Sequence, residues 1–338
     1  MNKQVIQNEY YCKFVRKNGG GNYCLAFFTP TYNRAHLLQR VYQCLLNQSN
    51  KNFCWIVIND GSSDNTDNVV RDILKENIIP VCYITKPNGG KHSAFECALQ
   101  ECQTDYFQCM DDDDIYDPEA VEFFLQEWKN IKIEGKAESI GAIRTLTRRE
   151  DGTFVPHFTL PDKEIGMSYD ATTLEMNYKK RLHQENWTCY DTQKLRSIQL
   201  FDHDYWLSDR HKFVSESIWQ GRFARKYKCR YVNVAFREYR NDASTSILRG
   251  RKTSQHYIDM FINNFIINNE QYDFLCSDLK TLAHSTALVS ILRGYLRINF
   301  IHMLRHTTHW QLRLLYLVMY PLGIAGRWFD VYRNVQSN

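Results

Sequence analysis

Short apolar runs and amphipathic segments alternate along the first third of the chain. Continuous apolar stretches of strand length predict buried strands at residues 23–29, 53–58, 81–85 and 106–110. Apolar positions at helical spacing predict helices between them, at residues 35–48, 66–76 and 91–100. Strands that alternate with helices are typical of βαβ units, so the pattern predicts an α/β fold with a mostly parallel sheet flanked by helices. Ligands of such sheets bind beyond the carboxyl ends of the strands.

The pattern changes beyond the fourth predicted strand. A helix at residues 119–130 and a strand at 141–147 are predicted, whereas residues 150–209 show mixed periodicity. From His256 onward the pattern is helical, which predicts a C-terminal helical extension. A glycine-rich turn or linker at residues 17–22 precedes the first strand.

Composition and charge exclude several classes of protein. Hydrophobic residues make up 43% and charged residues 24% of the 338 residues, which is typical of a globular chain rather than a disordered one. The net charge of +4 gives no indication of nucleic-acid binding. The 11 cysteines are scattered without zinc-binding spacing, which indicates a reducing cytoplasm. No apolar leader opens the chain, and Arg313 and Pro321 interrupt its longest apolar stretch, so neither a signal peptide nor a bilayer-spanning helix is expected.

Polar clusters follow the first three predicted strands, where a ligand of a parallel sheet would bind. They occupy residues 29–34, 59–66 and 87–91. Asp60 stands at a glycine turn, where its carboxylate can accept a hydrogen bond from the imide of a base. Lys91 stands at a helix start, from which it can reach a phosphate. Taken alone, each cluster also fits ordinary turn or helix-cap chemistry.

A run of four aspartates, Asp111 to Asp114, follows the fourth predicted strand directly. Adjacent carboxylates repel each other by about 1 kcal/mol per pair even in water, and a divalent cation reverses that penalty. Oxygen ligands select Mg²⁺ or Mn²⁺, which take one or two carboxylates together with phosphate oxygens. Because alternate strand residues share a face, we expect Asp111 and Asp113 to point together and Asp112 to point away. The alternative is an acidic, solvated loop before Pro118.

The four clusters together resemble the family 2 glycosyltransferases of the GT-A fold. FTPTYNR, VINDGSSDNT, PNGGKHSA and MDDDDIYDPEAV stand in that family's order and spacing over residues 23–125. The resemblance implies an inverting transferase with a nucleotide-diphosphate sugar donor, usually UDP-linked, and with Mn²⁺ or Mg²⁺ as cofactor. It assigns Asp111 and Asp113 to the metal. It assigns to the nucleotide sugar Pro30, Tyr32, Arg34, Asp60, Asn88, Lys91, Asp112 and Arg240.

The acceptor side of the resemblance rests on fewer residues. Glu216 resembles the carboxylate base that the family carries there, and Glu185 is the candidate contact with the acceptor. Two positions depart from the family pattern: Glu96 stands where Asn is common, and Ser217 stands where Asp often follows the base. Residues 231–232 and the segment 237–246 resemble the closing edge strand and loop of the family.

The resemblance also implies a division of the chain. An N-terminal segment (1–22) precedes a GT-A catalytic domain (23–250), which has a nucleotide-sugar half (23–125) and an acceptor half (126–250), and a basic, aromatic, helical region follows (251–338). In that last region, aromatic residues interleaved with arginines fit either peripheral contact at the inner face of the plasma membrane or packing on the catalytic domain. We therefore expect a glycan or polyprenyl-linked acceptor.

Two other functions share some of these features. A sugar nucleotidyltransferase also has an acidic metal site on an α/β sheet, but it needs a glycine-rich loop near the first strand, and FTPTYNR has no glycine. A catalytically inactive nucleotide-sugar-binding module would lack the aspartate pair or the base, and all of these carboxylates are present. The sequence therefore favours a glycosyltransferase of capsule, O-antigen or exopolysaccharide synthesis.

Overall fold

The computed structural model describes residues 3–9, 11, 24–155, 167–182, 185–202, 205–240 and 253–325. The chain divides into two compact units. The first comprises Met1–Thr172, Leu182–Ile198 and Lys226–Ser246, and the second comprises Thr173–Arg181, Gln199–Arg225 and Ile247–Asn338. Two segments of the predicted acceptor half thus belong with the C-terminal helices, while the boundary expected at residue 250 stays a prediction.

The first unit is built on a ten-stranded mixed sheet. Its strands are β1 (Gln4–Gln7), β2 (Leu25–Thr31), β3 (Phe53–Asn59), β4 (Val81–Thr85), β5 (Tyr106–Cys109), β6 (Ile115–Tyr116), β7 (Ile140–Arg148), β8 (Ser168–Ala171), β9 (Asn186–Asp191) and β10 (Lys228–Glu238). They are ordered β1-β4-β3-β2-β5-β9-β7-β10-β6, and β8 pairs with β10 beside this path.

The predicted parallel arrangement is confirmed for β4, β3, β2 and β5, which pair in that order. Beyond them the sheet is mixed, because β9 runs antiparallel to both β5 and β7. The expectation that residues 231–232 form an edge strand is wrong: β10 pairs there with β7 on one side and with β8 on the other. The predicted α/β class, a sheet flanked by helices, is confirmed.

Among the described residues, five α-helices accompany this sheet. They are α1 (Ala35–Leu46), α2 (Thr66–Glu76), α3 (Lys91–Glu101), α4 (Ala120–Ile133) and α5 (Thr192–Arg196). Each of the first four buries one apolar face; in α1, for example, Leu38, Val41 and Leu45 are fully buried. The core also contains aromatic stacks, such as Tyr106 on Trp128 with ring centroids 4.5 Å apart.

The N-terminal segment contributes to the sheet, which the sequence does not predict. β1 pairs antiparallel with β4. Beside it, the buried Asn8 donates to the carbonyl of Ile79 at 2.8 Å, and its Oδ1 accepts from the amides of Tyr11 and Val81 at 2.8 and 3.1 Å. These bonds fix the first residues against the edge of β4. The glycine-rich turn predicted at residues 17–22 lies outside the described residues.

The second unit is helical, as predicted for the C-terminal region. It contains α6 (Glu216–Ala224), α7 (Ser254–Glu270), α8 (Tyr272–Leu275), α9 (Leu279–Tyr295), α10 (Phe300–Arg305) and α11 (Trp310–Val318), and residues 320–325 are also helical. Phe261, Phe265 and Leu312 lie in its core. Segments distant in sequence meet here, since Arg222 of α6 holds Glu270 of α7 through bonds of 2.6 and 2.9 Å. None of the helices in the described ranges has both the length and the apolarity needed to cross a membrane.

Candidate active site

The loops after β2 and β3 are bound to each other at the carboxyl end of the sheet. Asn33 adopts a positive φ of 54°, and its amide donates to Ser62 Oγ at 2.9 Å while its Oδ1 accepts from the amide of Ser63 at 2.8 Å. Asp64 accepts from the amides of Ala35 and Thr66, at 3.0 and 3.1 Å. Burial opposes ionisation of Asp64, but the bonds from Thr66 and Ala35 outweigh it and lower its pKa. These side chains bind the two loops to each other, whereas the N-cap of the helix that begins at Thr66 is Asn65, which makes no side-chain cap bond.

The loops after β3 and β4 are joined by a buried ion pair. Asp60 accepts from Lys86 Nζ, from the amide of Gly89 at 3.0 Å and from the amide of Gly90 at 2.7 Å. Lys86 also donates to Ser93 Oγ at 2.8 Å. A Cβ at Gly89 would lie 2.4 Å from that oxygen, so the close approach requires glycine. Asp60, which the sequence predicts to contact a nucleoside, is therefore bound here by three donors of the chain's own loops: Lys86 Nζ and the amides of Gly89 and Gly90.

The remaining residues predicted on this side differ in exposure. Asn88 donates from Nδ2 to the carbonyl of Asp60 at 2.9 Å, which helps to shape the loop. Tyr32 is 50% exposed at the end of β2, and Pro30 is half-buried beside it. Their contact with a nucleoside stays a prediction.

The four aspartates alternate in exposure. The side chains of Asp111 and Asp113 are 26% and 25% exposed, whereas those of Asp112 and Asp114 are 4% and 1% exposed. The run itself is not a strand: β5 ends at Cys109, and residues 112–113 form a turn before β6, so the alternation does not come from the strand geometry that the sequence predicted. The two aspartates that reach solvent are the two assigned to a metal, although their role as ligands stays a prediction.

Three cations surround the aspartates. Lys91 Nζ lies 2.8 Å from Asp111 Oδ1. Arg34 Nη1 contacts Asp112 at 2.7 Å and Asp113 at 3.1 Å. Arg237, on β10, contacts Asp114 through Nε at 2.5 Å and Asp111 through Nη2 at 3.4 Å. Each aspartate of the run therefore has at least one basic partner.

These surroundings separate the pKa values of neighbouring carboxyls. Burial opposes the charge on Asp111, but Lys91 and Arg237 outweigh it and lower its pKa to about 2. Burial dominates at Asp112 and raises its pKa to about 6 against the effect of Arg34. Burial likewise raises the pKa of Asp114 to about 6 against Arg237. One oxygen of Asp112, Oδ2, is buried and has no hydrogen-bond partner among the described residues.

Arg237 connects the aspartates with two other predicted residues. Its Nη1 lies 3.3 Å from Glu185 Oε1, which brings the candidate acceptor contact to the same cluster. The amide of Arg240 donates to Asp114 Oδ1 at 3.1 Å, while the guanidinium of Arg240 pairs with Glu238 at 2.8 Å and with Glu150. Arg237 and Lys86 are the two central residues that the sequence did not single out. The segment around Arg240 resembled the family's closing loop, and that was the only indication of Arg237.

Glu216 belongs to the second unit, whereas the aspartate run belongs to the first. It is an exposed residue and the first of α6, directly after Ser215, whose Oγ accepts from the amide of Ser217 at 3.3 Å. Its assignment as the base stays a prediction.

The chemistry of the aspartate run fits a hard divalent cation. Asp111 and Asp113 offer carboxylate oxygens at the surface, which is the donor type that Mg²⁺ and Mn²⁺ prefer. Within the described ranges no group of three or more His, Cys, Asp or Glu side chains is placed to hold a metal ion. Two carboxylates match a cation that takes its other ligands from water and phosphate oxygens.

Sequence comparison places these residues in a known family. Residues 26–191, which include the aspartate run and the loops after β2, β3 and β4, match the profile described as glycosyl transferase family 2. These residues form a family 2 glycosyltransferase domain. The predicted family is thereby confirmed.

Characterised and uncharacterised bacterial relatives align with this domain. An uncharacterized glycosyltransferase of Rickettsia prowazekii is 33% identical over 98 residues, which is 29% of this chain and 30% of that protein. The chondroitin synthase of Pasteurella multocida is 36% identical over 133 residues, covering 39% of this chain and 13% of the synthase. The poly-β-1,6-N-acetyl-D-glucosamine synthase of Staphylococcus epidermidis is 26% identical over 132 residues, or 36% of this chain and 32% of that enzyme. The chain thus aligns with about a third of these relatives or less.

Solved structures support the fold. S. aureus TarS in complex with UDP-GlcNAc superposes with a TM-score of 0.52 at 14% identity, covering 90% of this chain and 81% of that chain. TarS in complex with UDP gives the same TM-score at 14% identity, covering 91% of this chain and 88% of that one. At this identity the similarity establishes the GT-A-like fold of the family 2 domain.

Proposed function

We propose that the protein transfers a sugar from a nucleotide-diphosphate donor to a hydroxyl of a glycan or polyprenyl-linked acceptor, with inversion at the sugar. The observation that carries this proposal is the aspartate run of the family 2 domain. It stands at the end of β5 with Asp111 and Asp113 at the surface, and Lys91, Arg34 and Arg237 surround it. A surface that combines carboxylates with cations is suited to a diphosphate bridged by a metal ion.

A UDP-sugar is the donor that we propose first. Chondroitin, hyaluronan and poly-N-acetylglucosamine synthases are among the relatives, and one of the superposed structures contains UDP-GlcNAc. These names suggest that the product belongs to a bacterial surface polysaccharide. The three names share an aminosugar-containing polymer, so UDP-N-acetylhexosamines come first in a donor screen.

In this proposal Asp111 and Asp113 hold Mg²⁺ or Mn²⁺, and the ion supplies Lewis-acid stabilisation of the charge on the departing diphosphate. Lys91 and Arg34 lie next to this pair, and both can turn from an aspartate to a phosphate oxygen. Arg237 keeps Asp114 and Asp111 in place, because it contacts both carboxylates from the buried side. Tyr32 is exposed at the end of β2, where its ring can stack on a base.

Removal of the acceptor proton requires a base, and we propose Glu216 for this role. A carboxylate suits it, since the proton leaves the hydroxyl as the acceptor oxygen attacks the anomeric carbon. Glu185, next to Arg237, is our candidate for a contact with the acceptor.

The test of this proposal is the Asp113→Ala variant. Nucleotide release from a panel of UDP-sugars is measured with Mn²⁺ or Mg²⁺ titrated against the wild-type and variant chains. We expect turnover to fall by roughly 10²–10³-fold, because a metal ion contributes several kcal/mol to stabilising the transition state. Asp72→Ala is the matched control, since Asp72 lies on the exposed surface of α2 with a 70% exposed side chain. Unchanged turnover and metal dependence in Asp113→Ala would show that the aspartate run is not the donor site.

A further inference from the structure

Helix α11 has apolar residues on two opposite faces. One face packs into the second unit through Leu312 and Tyr316, which are fully buried. The residues of the opposite face are Trp310, Leu314, Leu317 and Val318, which are 65%, 51%, 49% and 72% exposed. Their spacing of i, i+4, i+7 and i+8 places them on one side of the helix. Single exposed apolar residues are common, but a continuous helix face of them marks a surface that binds something.

The exposed apolar character continues beyond α11. In the helical residues 320–325, Tyr320 and Leu322 are each 38% exposed and Ile324 is 44% exposed. We call the four exposed apolar residues of α11, together with Tyr320, Leu322 and Ile324, the outer face. All of these residues fall within residues 310–324 of the chain.

The charged residues of the sequence segment that contains the outer face have one sign. Residues 279–325 contain no Asp or Glu and carry Lys280, Arg293, Arg297, Arg305 and Arg313. Of these, Lys280, Arg297, Arg305 and Arg313 are exposed and Arg293 is buried. Arg313 lies on α11 itself, where its Nε donates to the carbonyl of Thr307 at 2.9 Å. An apolar face flanked by arginines, without acidic residues, is complementary to an anionic surface with an apolar interior.

We propose that the outer face binds the surface of an anionic lipid bilayer. With nine residues, α11 is about 14 Å long, roughly half of the hydrocarbon thickness, so it lies along the surface rather than across it. Trp310 then sits at the headgroup level, where indole rings partition, and the leucines enter the acyl boundary. The structure shows Leu312 and Tyr316 packed in the core of the second unit, and the proposal gives the outer face of the same helix to the bilayer. One face packs on the protein and the other is left for the bilayer.

The experiment is co-sedimentation of the full chain with vesicles, without donor or acceptor, so that its outcome is independent of transfer activity. Vesicles of phosphatidylcholine are compared with vesicles of phosphatidylcholine and phosphatidylglycerol in equal amounts, at low and at physiological ionic strength. We expect binding to the anionic vesicles that weakens with salt. Leu317→Glu should lower the partition coefficient by about tenfold or more, since a buried leucine contributes at least about 1.5 kcal/mol. Arg305→Gln should lower it about fivefold.

The control is Ile133→Glu, which places the same charge at an 83% exposed isoleucine of the first unit. It should bind vesicles as the wild type does. Equal binding to neutral and anionic vesicles, or equal binding by wild type and Leu317→Glu, would overturn the proposal. So would self-association that Leu317→Glu abolishes in the absence of vesicle binding, because the outer face would then pair two copies of the chain.

A second measurement does not depend on the stability of Leu317→Glu. Anionic vesicles with brominated acyl chains quench tryptophan fluorescence on contact, and Trp310 is the tryptophan that the proposal places in the bilayer. We expect quenching of the wild-type chain that Trp310→Phe largely removes. Quenching that persists unchanged in Trp310→Phe would show that another surface meets the lipid.

Discussion

Replacing the buried Asp112 by asparagine should change how the stability of the protein depends on pH. The carboxyl of Asp112 is 4% exposed and has one bond to Arg34 at 2.7 Å; its second oxygen is buried and has no partner in the part of the chain that the structure describes. Its pKa is raised from 3.8 to about 6. An uncharged amide of the same shape has no such ionisation.

The sign and size of the effect follow from proton linkage. Below about pH 4 Asp112 is protonated in the folded and the unfolded chain, so its ionisation costs nothing. Between about pH 4 and pH 6 the unfolded chain loses the proton first, and the stability contributed by the raised pKa is lost. A pKa difference of about two corresponds to about 3 kcal/mol, at about 1.4 kcal/mol for each pKa unit. Asp112→Asn has no carboxyl at this position and does not lose this stability. Its free energy of unfolding, relative to that of wild type, should therefore rise by about 3 kcal/mol from about pH 4 to pH 7.

The assay is urea unfolding followed by tryptophan fluorescence at a series of pH values over which both chains are folded at the start. The difference in free energy of unfolding between Asp112→Asn and wild type is plotted against pH. Asp72→Asn, at an exposed position, should stay within about 1 kcal/mol of wild type at every pH. A difference in free energy of unfolding that stays constant for Asp112→Asn, or that falls as pH rises, would refute the conclusion that burial raises the pKa of Asp112.

Two further predictions concern the base and the loop after β4. Glu216→Gln should reduce transfer by about 10²–10⁴-fold while the affinity for UDP, measured by calorimetry, stays unchanged; retained transfer would remove Glu216 as the base. Asp60→Asn should lower the free energy of unfolding by about 3–5 kcal/mol, because Lys86, with a 2% exposed side chain, loses its charged partner. Its control is Asp67→Asn, which breaks the exposed pair with Arg71 and should cost less than about 1 kcal/mol. Equal losses in the two variants would contradict a buried structural role for Asp60.

The parallel half of the sheet could be predicted because its strands are buried on both faces. Such strands are continuous apolar runs, and the strand predicted at residues 81–85 coincides with β4. The exposure of the aspartates was not predictable in the same way, since residues 112–113 form a turn rather than an extended strand with a period of two.

The other half of the sheet could not be predicted from local pattern. β9 has the sequence NWTCYD and β8 has SYDA, so neither is an apolar run, and β1 has exposed residues in the sequence QVIQ. The contact of Arg237 with Asp114 joins residues 123 positions apart. Such a contact depends on strand order and register, which the periodicity of one segment does not contain.

The order in which the chain passes between its two units affects how it can fold during synthesis. The chain changes unit after residues 172, 181, 198, 225 and 246, so no single cut separates the two. The sheet lacks β10, the parallel partner of β7, until residue 238 has been made. Leu207 and Ile218 likewise cannot be buried in their core until Phe261 and Phe265, which belong to the same core, have been made. At roughly 5–20 residues per second, this leaves apolar side chains exposed on the ribosome for several seconds. A nascent chain that stops before α7 is therefore a substrate for chaperones and proteases rather than a shorter enzyme.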